Sequence, residues 1–304
     1  MIFADFDRPS WGVLGKTWPH KQASRFIDAG TMRWHVQVMG DGPPLLLLHG
    51  TAASGHSWRD LIPLLAKQFR VIVPDLPGHG FSNAPPVIRL TLPRVAAATE
   101  ALLSELNCEP ALVVGHSAGA AILLHMALNK QIDPQGIVGI NGAYLPFPGA
   151  AGAIFPSLAR LLYLNPLAPR LFAAGGRSRG RIERLIGSTG STIGDDGIDF
   201  YQQLITAPGH VSGALAMMAS WDLQPLEQTI GKIDRPLLLI AGDNDKAVSP
   251  DVSRQVARRT KYSKLVNLPG LGHLAHEERP EEVGRLISAF ATEVGALPAD
   301  PNLI

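Results

Sequence analysis

Gly115-His116-Ser117-Ala118-Gly119 follows the apolar run Ala111-Leu112-Val113-Val114 and precedes a helix pattern over 120–128. This G-x-S-x-G stretch narrows the possible folds more than any other feature, because it demands a tight strand-to-helix turn on a buried sheet. On such a turn the serine backbone is strained, and its hydroxyl stands above the sheet edge within reach of a base. Glycines at 115 and 119 omit side chains where strand and helix nearly touch. The pentapeptide alone is common. Its place between a strand and a helix pattern makes Ser117 the candidate nucleophile.

The rest of the chain alternates strand and helix patterns, which predicts a mostly parallel sheet covered on both faces. Residues 25–29 and 32–39 read as short antiparallel strands, followed by the apolar strand 45–48, a helix over 58–67 and the strand 71–73. A helix over 92–106 leads to the strand before Ser117, and 136–140 gives another. The rhythm then breaks. Residues 143–220 hold Pro and Gly interruptions and short amphipathic pieces such as 157–164, without a clean strand. Strand 237–240, helix 251–259, strand 265–268 and helix 281–294 resume the order, and 296–304 reads as a loose tail. The expectation is an α/β core of about eight strands flanked by helices, formed by 1–142 and 221–304. A mainly helical insertion, 143–220, follows the sixth strand and is too long for a loop.

Composition excludes several classes. With 46% apolar and 17% charged residues, the chain reads as an ordinary globular protein. A net charge of +1 without a continuous basic face gives no reason to expect a nucleic-acid partner. Cys108 is the only cysteine, so no internal disulfide forms; its position by a helix end suits a filler role. Asp5 and Asp7 stand where a signal peptide would carry positive charge, and no apolar run is long enough to span a bilayer. A cytoplasmic protein without a transmembrane segment is expected, with peripheral membrane contact left open.

A serine hydroxyl needs a histidine base, and the histidine needs a carboxylate to fix its tautomer. In a parallel sheet, functional side chains collect at the carboxyl ends of strands. After 237–240 comes Ala241-Gly242-Asp243-Asn244-Asp245, and after 265–268 comes Pro269-Gly270-Leu271-Gly272-His273. Asp243, nearer the strand, suits a turn-capping role, so Asp245 is the expected acid and His273 the expected base. Asn141 is not ionisable and is set aside, His49 reads as a buried structural residue, and His276 and Glu277 are given structural roles. No H-E-x-x-H occurs, so neither a metal nor a cofactor is expected. The oxyanion requires backbone donors, for which the N–H groups of Ala118 and Thr51 are the candidates.

Taken together, His49-Gly50, Asp75-Leu76-Pro77-Gly78-His79-Gly80-Phe81-Ser82, Gly115 to Gly119, Gly242 to Asp245 and Gly272-His273 resemble the α/β-hydrolase superfamily. That resemblance covers nearly the whole chain and implies a lid formed by the insertion. Serine rather than aspartate at 117 departs from the capped epoxide hydrolases and haloalkane dehalogenases. A second set is similar to the hydrolase-like accessory proteins of magnesium chelatase in bacteriochlorophyll biosynthesis. It comprises Trp18-Pro19-His20, Met32-Arg33-Trp34-His35-Val36-Gln37, Pro208-Gly209-His210-Val211 and Gly213-Ala214-Leu215-Ala216-Met217-Met218-Ala219, with Ala120-Ala121 extending the serine motif. This likeness implies a tetrapyrrole pathway and magnesium-chelatase subunits as partners, but no defined reaction.

The insertion carries Phe155, Leu158, Leu161, Leu162, Tyr163, Leu171, Phe172, Met217 and Met218, with Trp221 just beyond. Most of these are expected to form its own core, while Met217, Met218 and Trp221 are candidates for an apolar pocket wall. Arg177, Arg179, Arg181 and Arg184 read as a solvated face, from which one or two could pair with substrate carboxylates such as tetrapyrrole propionates. The expected activity is ester cleavage of a bulky apolar small molecule. The alternatives are carbon–carbon bond hydrolysis or cofactor-free perhydrolysis on the same fold, and a non-catalytic tetrapyrrole-binding factor.

Overall fold

Leu45 to Leu48 and Leu112 to Val114 are apolar at every position, so both faces of these strands must be covered. In the computed structural model, which describes residues 7–83, 90–146 and 158–298, they lie in the middle of an eight-stranded sheet. The strands are β1 (Ser24–Ala29), β2 (Met32–Met39), β3 (Pro44–Leu48), β4 (Arg70–Pro74), β5 (Leu112–His116), β6 (Gly136–Ile140), β7 (Leu237–Gly242) and β8 (Ser263–Leu268). Their order is β1-β2-β4-β3-β5-β6-β7-β8. β2 pairs antiparallel with β1 and β4, and every other pairing is parallel.

Alternation along each strand splits the core into two layers. Leu46, Leu48 and Val113 point to one face, where α1 (Leu92–Glu105) and α2 (Ala118–Leu128) bring Val95, Leu102, Ile122 and Leu123. Leu45, Leu47 and Val114 point to the other, with Val283, Ile287 and Phe290 of α8 (Pro280–Glu293). Helix α7 (Pro250–Arg259) joins the first layer through Val256. The helix expected over 58–67 is not continuous. A 3₁₀ turn, Gly55–Trp58, is followed by one α-turn, Ile62–Leu65. A continuous helix would need an N–H at Pro63, which has none; burial of Trp58, Leu61, Ile62 and Leu65 fixes the segment instead. The tail is also firmer than expected, since Ala296 and Leu297 are buried in the second layer.

Between β6 and β7 the described residues hold α3 (Ala168–Gly176), α4 (Arg179–Ser188), α5 (Asp195–Ile205) and α6 (Pro208–Ser220), preceded by a helical stretch over 158–164. Ile182, Ile186, Ile198 and Tyr201 pack against Ala53 and Leu274, which seats α4 and α5 on loops at the carboxyl edge of the sheet. The expected internal packing of the larger apolar side chains fails for Leu158, Leu161, Leu171 and Phe172, which are exposed. Smaller or branched residues, including Ala159, Ala168, Ala173 and Ile182, occupy the interior in their place. Phe155 lies outside the described residues. Among the arginines, Arg179 is not available to a ligand: it is ion-paired with Glu183, Asp195 and Asp199, tying α4 to α5. No helix among the described residues is long and apolar enough to cross a membrane.

Candidate active site

Ser117 sits between the end of β5 and the start of α2 with φ 51° and ψ −116°, a conformation L residues rarely adopt. The turn is that tight because the backbones touch. A Cβ on Gly119 would lie 2.1 Å from the Leu48 carbonyl oxygen, and one on Gly115 would lie 2.4 Å from the Ala120 nitrogen. The Ser117 N–H donates to the Ile140 carbonyl, and the Ser117 carbonyl accepts from Ala143 N–H, both at 3.1 Å. The backbone is therefore fixed, and the half-buried side chain is left to move.

The loops after β7 and β8 bring Asp245 and His273 together. Asp243 is exposed and caps the neighbouring turn by accepting from Gly270 N–H at 2.7 Å. Asp245 is buried and surrounded by donors. One oxygen accepts from the N–H groups of Ala247 and Val248 at 2.8 Å each. The other accepts from His273 Nδ1 at 2.8 Å and from Asn141 Nδ2 at 2.7 Å. A carboxylate so engaged assigns the proton to His273 Nδ1 and leaves Nε2 with a free lone pair. The His273 side chain is 11% exposed. Its backbone is held by N–H donation to Thr189 at 3.3 Å and by a 2.8 Å bond from His116 Nε2 to its carbonyl. The Ser117 hydroxyl makes no hydrogen bond among the described residues. The Asp245–His273 contact is thus formed, whereas Ser117 and His273 are not hydrogen-bonded to each other through their side chains. His116, Ser117's chain neighbour, lies against His273 with ring centroids 4.7 Å apart.

Asn141 and His116 hold the Asp245–His273 pair through side-chain hydrogen bonds. Asn141 has φ 48° at the end of β6, next to β7, and an uncharged amide there donates to Asp245 as an acid could not. For His116, the position within the serine motif was the available signal.

The N–H groups of Thr51 and Ala118 donate no hydrogen bond among the described residues. That of Ala118 lies in the first turn of α2, where helix geometry leaves it unpaired and the helix dipole favours an anion. Thr51 precedes Ala52, which has φ 64°. His210 on α6 clamps this loop. Its Nε2 donates to the Ala52 carbonyl at 3.1 Å while its Nδ1 accepts from Gly80 N–H at 3.0 Å. Helix α6 lies so close that a Cβ on Gly213 would meet the Gly78 carbonyl oxygen at 2.0 Å. The Thr51 hydroxyl reaches Met217 Sδ at 3.4 Å. Met217 is fully buried, whereas Met218 and Trp221 are half-buried, with Trp221 against the same core layer. His49 donates from Nδ1 to the Gly50 carbonyl at 2.7 Å and accepts from Leu76 N–H at 2.9 Å, a structural arrangement.

Behind His273 the rings of His116, His276 and Trp58 contact one another in turn, tilted by 42°, at centroid distances of 4.4 and 4.6 Å. Glu277 anchors the same turn through Arg59 at 2.6 Å and the Tyr201 hydroxyl at 2.7 Å. Burial pushes His276 down to about 3 and His210 down to about 4, from an ordinary 6.5. Both remain neutral when folded, while the unfolded chain takes up protons below pH 6.5. The stability they contribute is therefore complete above that value and declines as the pH falls towards the folded values. The urea midpoint is expected to drop between neutral pH and about pH 5, and His276→Phe should make that drop shallower. A pH-independent midpoint would contradict this account.

A second Ser–His–Asp series lies elsewhere. Ser24 Oγ is 3.0 Å from His35 Nε2, and His35 Nδ1 is 2.9 Å from Asp75 Oδ2. This series is a structural knot. Asp75 also accepts from Gly55 N–H at 2.7 Å and Phe81 N–H at 2.9 Å, fastening the loops after β3 and β4. Ser24 has ordinary extended dihedrals, φ −76° and ψ 134°, and its hydroxyl also accepts from Gln37 Nε2 at 3.2 Å. Among the described residues no group of three or more His, Cys, Asp or Glu is placed to hold a metal.

Residues 43–280 match the family described as the alpha/beta hydrolase fold. The magnesium-chelatase 30 kDa subunit of Rhodobacter capsulatus is 44% identical over 277 residues, covering 90% of this chain and 96% of that protein. A haloalkane dehalogenase of Mesorhizobium japonicum is 26% identical, covering 91% of this chain and 93% of its own. A crystal structure of a putative lipase from Acinetobacter baumannii superposes with a TM-score of 0.75 at 22% identity, covering 94% of this chain and 97% of that one.

Proposed function

Because this chain belongs to the alpha/beta hydrolase family, we propose that it is a serine hydrolase cleaving the carboxylic ester of a bulky apolar substrate through an acyl-enzyme. The observation that supports this most is the buried Asp245–His273 pair at the same sheet edge as strained Ser117 and two unengaged N–H groups. A side-chain rotation brings the Ser117 hydroxyl to His273 Nε2, which takes its proton as the oxygen attacks the ester carbonyl. Asp245 stabilises the resulting imidazolium. The oxyanion accepts from Thr51 and Ala118 N–H. His273 then protonates the leaving alcohol and activates the water that releases the acid. Residues 143–220 act as the lid, Met217 and Met218 from it and Trp221 just beyond it line the substrate pocket, and the reaction takes place in the cytoplasm. Serine at 117 sets this chain apart from the dehalogenase chemistry named for one relative.

The test is mass spectrometry after mixing with p-nitrophenyl esters of increasing acyl length. An acyl adduct on the peptide containing Ser117, with a burst of p-nitrophenolate, is expected. No adduct and no turnover across the series would defeat the proposal. His210 supplies a further prediction. His210→Phe keeps the ring but removes both hydrogen bonds that set the Ala52 loop, so kcat should fall roughly 10- to 100-fold with little change in KM. An equal rise in KM with kcat unchanged would mean that His210 merely shapes the lid.

The name of the Rhodobacter capsulatus relative favours a second reading, a non-catalytic tetrapyrrole-binding partner of magnesium-chelatase subunits. Tight porphyrin binding without any acyl adduct would select it, and a diketone cleaved in place of esters would select carbon–carbon hydrolysis on the same residues.

A further inference from the structure

We propose that the outer face of residues 158–188 docks this protein onto an anionic phospholipid surface. Leu161, Leu164, Leu167, Leu171 and Phe172 each leave 49 to 69% of their area in solvent. They follow one another along two helices joined by a short turn, in which Leu167 N–H donates to Asn165 Oδ1. Soluble monomers rarely expose large aliphatic side chains in such succession.

The charge on this segment is mainly positive, although Arg170 is paired with Asp7 and Arg179 with Asp195 and Asp199 outside it. Residues 158–188 hold six arginines against one glutamate, a net +5 in a chain of net +1. That glutamate, Glu183, is bound by Arg179. Arg177 and Arg181 form no ion pair among the described residues. A shallow depression of about 590 Å³ unites them with the apolar face, lined by Leu171, Ala174, Gly175, Arg177, Ser178 and Arg181.

Aliphatic side chains that reach into an acyl boundary, flanked by unneutralised arginines at phosphate height, are what an interfacial anchor requires. Guanidinium groups suit lipid phosphate oxygens in particular. The proposal is independent of the chemistry at Ser117, and Ser117→Ala should bind lipid as the unaltered protein does.

Flotation with vesicles of phosphatidylcholine alone, and of phosphatidylcholine mixed with phosphatidylglycerol, tests it. Binding to the mixed vesicles only is expected, weakening with added salt. Arg177→Gln with Arg181→Gln should lower the partition coefficient roughly thirty-fold, about fivefold per charge. Leu161→Gln with Leu171→Gln should lower it tenfold or more, and Leu164→Gln offers a second apolar variant. Unchanged melting midpoints establish that the variants are folded. Absence of binding to mixed vesicles overturns the proposal. So does binding that ignores the leucine substitutions, which would mark a plain cationic patch suited to an acidic protein.

Discussion

Ser117→Ala is expected to abolish labelling by a fluorophosphonate probe and to lower ester turnover roughly a thousandfold to a millionfold. The same measurement on Ser24→Ala should show full labelling. The contrast matters because the resting structure, judged by hydrogen bonds alone, joins Ser24 to a His–Asp pair and leaves Ser117 unjoined. Strain and availability decide between them. The Ser24 hydroxyl is committed to His35 and Gln37 on an ordinary strand, and Asp75 behind it is spent on backbone N–H groups. Ser117 occupies a strained turn, and the N–H groups of Thr51 and Ala118 are unused, so the proposed mechanism assigns the attacking oxygen to Ser117. The expected cost of Ser24→Ala is about 2 kcal/mol of stability, from the two lost hydrogen bonds to His35 and Gln37, read as a lowered melting midpoint. Labelling that survives Ser117→Ala and disappears in Ser24→Ala would reverse the assignment.

Asp245→Asn should reduce turnover by a factor of about ten thousand while leaving the fold intact. The reason lies in the four donors around the carboxylate. An amide has only one acceptor oxygen. If that oxygen faces Ala247 and Val248, the new NH₂ points at His273 Nδ1 and Asn141 Nδ2. His273 then shifts its proton to Nε2 and can no longer act as a base towards Ser117. The opposite orientation sets the NH₂ against two backbone N–H groups. Asp243→Asn, at the exposed turn, is the control and should change turnover only slightly, as its oxygen serves Gly270 N–H alone. Equal effects of the two substitutions would remove Asp245 from the mechanism. Asn141→Ala should fall between them, because it frees one lone pair of the acid without changing its charge.

The strand positions and the serine turn were readable because they follow from local rules. Apolar runs of strand length, glycines at 115 and 119, and the rule that side chains gather at carboxyl ends of parallel strands were sufficient to select Ser117, Asp245 and His273 as candidates. Asn141 was passed over because its role depends on β6 lying beside β7, a pairing across about a hundred residues that no local pattern reveals. Pro63 in the 58–67 segment is a local signal against a continuous helix, because it has no N–H to donate. The misjudged leucines at 158, 161 and 171 have another cause. Apolar character states what a side chain prefers, whereas exposure depends on whether smaller neighbours have already filled the interior.

Local patterns in the amino-acid sequence thus indicate an alternating strand–helix order, a serine on a tight turn and the chain order of its candidate partners. The packing of distant elements reveals that Asn141 donates to Asp245, that Arg179 is already neutralised and that Ser24, His35 and Asp75 form a knot. Local backbone preference is encoded residue by residue, but the partners of a buried polar group are set by elements that pack together from distant parts of the chain.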